Sequence, residues 1–150
     1  LKKKYYDRDH KMIVIAFDFG IKKIGVAVGE NITKKGRPLN VLNAHNGHPN
    51  WDTVKNLIQY WQPKFIIVGL PLNINGTKQK ITNESEKFAN LLKYKFNIVV
   101  KMHDERLTTV EAKSIIFKKN GFKGLKKEKI HSYAAKIILE SWLNQYFFTI

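Results

Sequence analysis

Met12-Ile13-Val14-Ile15-Ala16-Phe17-Asp18-Phe19-Gly20 is the most apolar run of the chain. Ile13, Ile15, Phe17 and Phe19 alternate with Met12, Val14 and Ala16, so both faces are greasy, as in a strand covered by helices on each side. Asp18 interrupts the second face. Carboxylates are rarely buried unless paired, hydrogen-bonded or bound to a metal. Taken alone, Asp18 is more simply a strand end before a turn through Gly20.

Outward from this strand, Lys23-Ile24-Gly25-Val26-Ala27-Val28-Gly29 reads as a second strand and Leu39 to Ala44 as a third, entered through Gly36-Arg37-Pro38. Short connections make these three an antiparallel meander. The period then becomes helical: Asn50 can cap a helix whose stripe is Val54, Leu57, Ile58 and Trp61, ended by Pro63. Phe65-Ile66-Ile67-Val68-Gly69-Leu70 is a short apolar strand of the parallel type. A turn-rich loop from Pro71 to Thr77, a helix over about 83–94 and a fifth strand over 98–102 follow. Thr108 and Glu111 have capping-box spacing, which places Asp104, Glu105 and Arg106 in the turn before another helix. A last helix spans about 130–145. The expected fold is α/β, a mixed five-stranded sheet with its first three strands antiparallel, flanked by helices. Residues 1–11 read as a flexible basic extension and 12–150 as one domain.

At 150 residues the chain can bury a full core, and no apolar run approaches the roughly 20 residues of a membrane span. The basic start lacks a signal peptide's apolar stretch, so the expected location is cytoplasmic. The lack of cysteine removes disulfides, thiolate zinc sites and thiol catalysis together. A formal charge of +15 points to a polyanion, nucleic acid above all. Abundant lysine, asparagine and isoleucine, with Arg8, Arg37 and Arg106 the only arginines among 27 basic residues, would also follow from an AT-rich genome. The charge is concentrated over residues 112–130, where seven lysines face one glutamate. Such runs are usually solvated, and beside a cleft they suit phosphates.

Ligand crevices of open α/β sheets lie beyond the carboxyl ends of the parallel strands. Asp18 ends the first strand, and Asp104 and Glu105 follow the fifth, so parallel strands would bring these acids to one edge. Clustered acids on a basic protein suit a hard cation such as Mg²⁺, which takes one or two carboxylates, waters and substrate phosphate. For Asp104 and Glu105 a solvated turn is the plainer reading, although the Thr108–Glu111 box leaves Glu105 no evident capping duty.

Four blocks together resemble the YqgF/RuvX family: Ala16-Phe17-Asp18-Phe19-Gly20; Gly25-Val26-Ala27-Val28-Gly29; Ile67 to Asn73 with Gly76-Thr77; and His103-Asp104-Glu105-Arg106-Leu107-Thr108-Thr109. The resemblance covers roughly residues 12 to 145. It implies an RNase H-like nuclease related to Holliday junction resolvases and described as acting on precursors of 16S ribosomal RNA. It further implies Mg²⁺ or Mn²⁺, as a pair of ions, with Asp18 bridging them, Glu105 as second ligand, and Asp104 a further ligand or an orienting group. Arg106 is suited to hold a phosphate or the turn itself. His131 stands where the family usually has an aspartate. On a helix it shares a face with Ala135, Ile138 and Trp142, and a place at the helix N-terminus would favour neutral imidazole and hence metal binding. The alternative is a core histidine in an enzyme with a weakened site.

Lys22, Lys23 and Arg37 are candidate phosphate contacts, and Asn73 and Thr77 candidate substrate contacts on the loop after the fourth strand. Trp51, Trp61 and Trp142 are expected in packing, and His10, His45, His48 and His103 as structural or exposed. Expected partners are structured precursor rRNA, DNA junctions and ribosomal particles; the sequence leaves the oligomeric state open. Two other classes compete. An actin-like ATPase fold also has an Asp-x-Gly turn after its first strand but needs two such domains, and an RNA-binding assembly factor would want the same basic surface without cutting.

Overall fold

A computed structural model describes residues 10–107 and 127–147 of the chain. The first nine residues, the Thr108–Glu111 box with its helix, and most of the lysine run lie outside the described residues.

In chain order the elements are β1 (Ile13–Asp18), β2 (Lys23–Glu30), β3 (Gly36–Pro38), β4 (Leu42–His45), β5 (His48–Pro49), α1 (Trp51–Trp61), β6 (Phe65–Leu70), α2 (Lys80–Phe96), β7 (Val99–Asp104), a 3-10 turn (Glu105–Leu107) and α3 (Lys127–Tyr146). The strands form one seven-stranded sheet ordered β5-β4-β2-β1-β6-β7, with β3 beside β2. β1 runs antiparallel to β2 and parallel to β6, and β6 parallel to β7, so the carboxyl ends of β1, β6 and β7 share an edge.

Five strands become seven for two local reasons. The expected third strand splits: β2 pairs with β3 as Ala27↔Pro38 and with β4 as Ile24↔Leu42, a register shifted by one residue. An extra residue of this kind bends the strand as a bulge does. The second reason is Asn46-Gly47, with φ of 49° and 80°, which turns the chain between the paired residues His45 and His48. Positive φ at both central residues is the type I′ hairpin, and Asn-Gly is its usual sequence.

The helices begin and end for identifiable reasons. The Asn50 side chain accepts from the N–H groups of Asp52 and Thr53 to start α1, and Gln62 in left-handed conformation ends it before Pro63. α2 starts earlier than its apolar period implies because Thr82 Oγ1 accepts the Gln79 N–H at 2.9 Å. Left-handed Asn97 stops it. Asn31, itself buried, ties the chain start down: its side chain accepts the Met12 N–H at 2.7 Å and donates to the His10 carbonyl at 3.1 Å.

The sheet has a core on each face. Ile15, Phe17, Val26, Val28, Ile66 and Val68 meet α1 and α2, while Val14, Ala16, Ala27, Phe65 and Ile67 meet α3. Phe17 meets Phe88 edge to face at 5.5 Å, and Trp51 stacks on Phe88 at 5.8 Å. Each fully buried side chain of this size contributes roughly 1.5–3 kcal/mol. Trp142, also buried, meets Phe65 at 5.5 Å, a packing role as its helical position suggests.

Candidate active site

Asp18 is the last residue of β1, and its side chain belongs to the α3 face. Val14 and Ala16, four and two residues earlier, lie in the α3 core, and a strand alternates faces at every residue. Its cross-strand partner Gly25 is independent support: a Cβ on Gly25 would point at α3, 1.8 Å from the His131 carbonyl oxygen. Directly opposed residues of an antiparallel pair face the same way.

On the other side, β1 pairs with β6 through Phe17↔Val68, so one step further Asp18 stands beside Gly69. A Cβ on Gly69 would lie 3.1 Å from Glu105 Cδ and 2.7 Å from Ile138 Cδ1. The 3-10 turn thus folds Glu105 back over the sheet edge, onto the same face as Asp18. Neighbouring strands are roughly 4.8 Å apart, so two carboxylates 87 residues apart in sequence become neighbours. Asp18 has a glycine on each side. One gap admits the backbone of α3 and the other admits Glu105.

α3 is pinned in place by polar bonds as well as by its apolar stripe. The Val26 N–H donates to Ser132 Oγ at 3.1 Å, and the Gly36 N–H to Glu140 Oε2 at 2.8 Å. Ser132 is fully buried and points at β2. Successive helical residues are about 100° apart, so the partly buried ring of His131 is turned to one flank. That flank is the one Ile138 occupies seven residues on, and Ile138 reaches Gly69. His131 is the fifth residue of α3 rather than its cap. It lies past the first turn, where the helix dipole fades.

Asp104 goes elsewhere. His103 is buried on the α3 face, with Nε2 2.9 Å from Ser141 Oγ, and Met102 packs against the opposite core, so Asp104 projects to the α2 side. There Arg106 grips it, donating from Nε at 3.0 Å and Nη2 at 2.6 Å to Oδ2, and from its main-chain N–H at 2.9 Å to Oδ1. The guanidinium beside Asp104 holds its carboxyl below the ordinary carboxylate value, and Asp104 in turn raises Arg106. Arg106 Nη1 also donates to the Ile74 carbonyl at 3.2 Å. Of the two duties foreseen for Arg106, the structure displays the turn-holding one, stapling the β6–α2 loop to the end of β7.

That loop is closed by its own side chains. Asn73 Nδ2 donates to Thr77 Oγ1 at 2.9 Å, and Thr77 Oγ1 donates to Asn75 Oδ1 at 2.6 Å. Asn73 and Thr77 are both exposed above the carboxyl edge. Lys22 is exposed on the β1–β2 turn at that edge, and Lys23 Nζ donates to Asn43 Oδ1 at 2.5 Å. Arg37 is placed away from Asp18: paired with Val28 of the α1 face, it lies 5.3 Å from the centre of the Trp61 ring. Strand alternation is the reason here too.

Among the described residues no three His, Asp or Glu side chains gather as a metal-holding group. The expected set of Asp18, Glu105 and His131 is therefore not assembled as a trio; Asp18 and Glu105 are the pair brought together. Two carboxylates still fit a hard cation, since Mg²⁺ is commonly bound by one or two, with water and substrate phosphate completing its shell. The positions that periodicity passes over are Gly25, Gly69 and Ser132. Their signal is that small residues stand level with Asp18 on both neighbouring strands and on the helix above.

Comparisons with known proteins bear on the fold and the family. The family model described as "RuvX: Holliday junction resolvase" matches residues 12–145. A protein of Buchnera aphidicola subsp. Acyrthosiphon pisum, named "Putative pre-16S rRNA nuclease", is 91% identical over 135 residues, covering 90% of this chain and all of that one. An Escherichia coli O157:H7 protein of the same name is 52% identical over 132 residues, 88% of this chain and 96% of its own. Thermus thermophilus RuvC, solved with a Holliday junction substrate, superposes with a TM-score of 0.57 at 16% identity, over 87% of this chain and 92% of its own. The yeast mitochondrial resolvase Ydc2 gives 0.53 at 12% identity, over 87% and 77%. At such identities these structures speak for the fold alone, an RNase H-like sheet shared with the RuvC resolvases. With its four sequence blocks, its sheet and this family match in agreement, the chain belongs to the RuvX family.

Proposed function

We propose that this chain is a metal-dependent endonuclease that hydrolyses phosphodiester bonds in precursor 16S rRNA during ribosome maturation. The observation that carries this reading is the pair Asp18 and Glu105, set on one face at the carboxyl edge of parallel strands, with a glycine gap on each side of Asp18. The rRNA-processing names of relatives 52% and 91% identical favour RNA as substrate and a cytoplasmic location. The chain's charge of +15 suits a polyanion.

Asp18 and Glu105 would hold the divalent ion, Mg²⁺ or Mn²⁺, and His131 would join them as third donor only by turning in from its flank of α3. When bound there, the metal would supply Lewis-acid chemistry, activation of a water for in-line attack and compensation of charge on the leaving oxygen. The chain's own part is positioning. β1 and its packed neighbours hold Asp18, and the Arg106–Asp104 clasp fixes the turn from which Glu105 reaches back. Lys22, on the exposed turn beside Asp18, attracts the phosphate backbone, and Asn73 and Thr77 offer substrate contacts from the loop above.

The test is Asp18→Asn, assayed on precursor 16S RNA and on a synthetic four-way DNA junction with Mg²⁺ and Mn²⁺ compared. Loss of cleavage with most RNA binding retained is expected. Undiminished cleavage by the variant would sink the mechanism, and RNA binding without cutting by the unaltered protein would leave an assembly factor. The family's resolvase description supports the second reading, junction DNA; preferential cutting of the four-way junction would establish it.

A further inference from the structure

On the sheet face opposite Asp18, at the same edge, lies a groove of about 480 Å³. Its floor is Phe19, Phe88 and Leu91. Phe19 follows Asp18 directly, so strand alternation sends the carboxylate to one face and the ring to the other. The far wall is the β4–β5 hairpin tip, contributing Asn46 and His48, and the near wall is α2, contributing Lys87, Asn90 and Tyr94.

Three properties distinguish this groove from an ordinary surface dent. Its wall is preformed: Asn46-Gly47 is a tight turn, the Gly47 N–H donates to the Ile21 carbonyl at 2.9 Å, and a Cβ on Gly47 would stand 2.8 Å from Phe19 Cζ. Its chemistry is mixed, an aromatic floor with amide, imidazole and ammonium groups and the Glu84 carboxylate around it. Tyr94 is 89% exposed at one end, with its ring presented to solvent. Lys87 pairs only loosely with Glu84, at 3.6 Å, and its side chain is 72% exposed.

An aromatic floor serves any base, because every base has a π-face, while a nearby cation takes the phosphate. Amides on both walls can hydrogen-bond base edges. We infer that this groove holds an unpaired nucleotide of the RNA strand, delivered over the β1–β2 turn past Lys22 as the strand leaves the Asp18 edge. The identity of the strand rests on the nuclease reading above. The consequence is a preference for cleavage sites with a single-stranded flank.

The test uses the full chain in EDTA, so that nothing is cut, and a short single-stranded oligoribonucleotide carrying 2-aminopurine. Stacking in the groove changes the fluorescence of the probe. Tyr94→Ala removes an exposed ring, and Asn90→Trp fills the groove from an exposed helix position. Each should weaken binding of the single strand about 5- to 150-fold, the equivalent of losing one stacked base at roughly 1–3 kcal/mol. Binding of blunt duplex RNA of equal length should stay within about twofold. Failure of the unaltered protein to bind the single strand, unchanged binding by both variants, or equal losses on single strand and duplex would each overturn the inference. Cleavage is scored separately with Mg²⁺ or Mn²⁺. An unaltered chain that binds the single strand in the groove but never cuts would refute the nuclease reading and leave the groove standing.

Discussion

Replacing Gly25 by alanine adds one methyl group where the main chain of α3 crosses β2. The new Cβ would stand 1.8 Å from the His131 carbonyl oxygen, 2.2 Å from its carbon and 2.8 Å from the Ser132 nitrogen. These are backbone atoms, so no rotamer change relieves the contact. Reaching even 3.0 Å requires α3 to retreat by about 1.2 Å, an overpacking that typically costs ~1–3 kcal/mol. The 3.1 Å bond from the Val26 N–H to Ser132 Oγ has little slack for such a retreat. Losing it leaves a buried donor unpaired, at ~1–3 kcal/mol. Against this, alanine stiffens the unfolded chain and contributes ~0.4–1 kcal/mol in the opposite sense. Taken at mid-range the net is about 3 kcal/mol, and at ~2–4 °C per kcal/mol for this length, thermal unfolding followed by circular dichroism should show a midpoint lower by about 6–12 °C. Gly36→Ala is the control: its Cβ would meet side-chain atoms, Lys136 Cγ at 3.2 Å and Leu139 Cδ2 at 3.3 Å. Those atoms can yield, so its midpoint should stay within about 2 °C. Equal midpoints for the two variants would refute the claim that the helix seats on Gly25 through its backbone.

Ser132→Ala should cost about 1–3 kcal/mol, because the buried Val26 N–H loses its acceptor without new space for water; chemical denaturation measures it, and an unchanged midpoint would argue against the bond. Asp104 should titrate below the ordinary carboxylate value in carbon-detected NMR, and Arg106→Ala should move it back up. Because the folded-state value is the depressed one, the contribution of this clasp is complete above the unfolded-state pKa and is lost as pH falls through the folded one, so its window lies below about pH 4. His131→Asp should tighten Mn²⁺ and Mg²⁺ binding by calorimetry and shift the preference between them; if binding, preference and turnover all stay the same, His131 is not a ligand.

Much of this fold was legible because it is written in local periods. The both-faced apolar runs at 12–19 and 65–70, the capped stripe from Trp51 and the long apolar helix ending near Tyr146 each follow from what their own residues can bury. Asp18 and Glu105 were legible as candidates because a carboxylate at a strand end or beyond it needs a partner. The split of the third strand was not, since a bulge depends on the register of a neighbour. The Asn46-Gly47 hairpin did carry a local signal, and it is easily passed over between two very short strands.

For the acids the sequence by itself determined residue type and the edge of the sheet, because crossover helices force β1, β6 and β7 to run parallel. Only the tertiary structure decided which acids face each other. Alternation along β7 sends Asp104 to Arg106 on one side, while the 3-10 turn carries Glu105 to the other, over Gly69 and beside Asp18. Whether a residue one place along a strand joins a site or leaves it depends on which face a distant helix covers, and that is a property of packing between segments far apart in the chain.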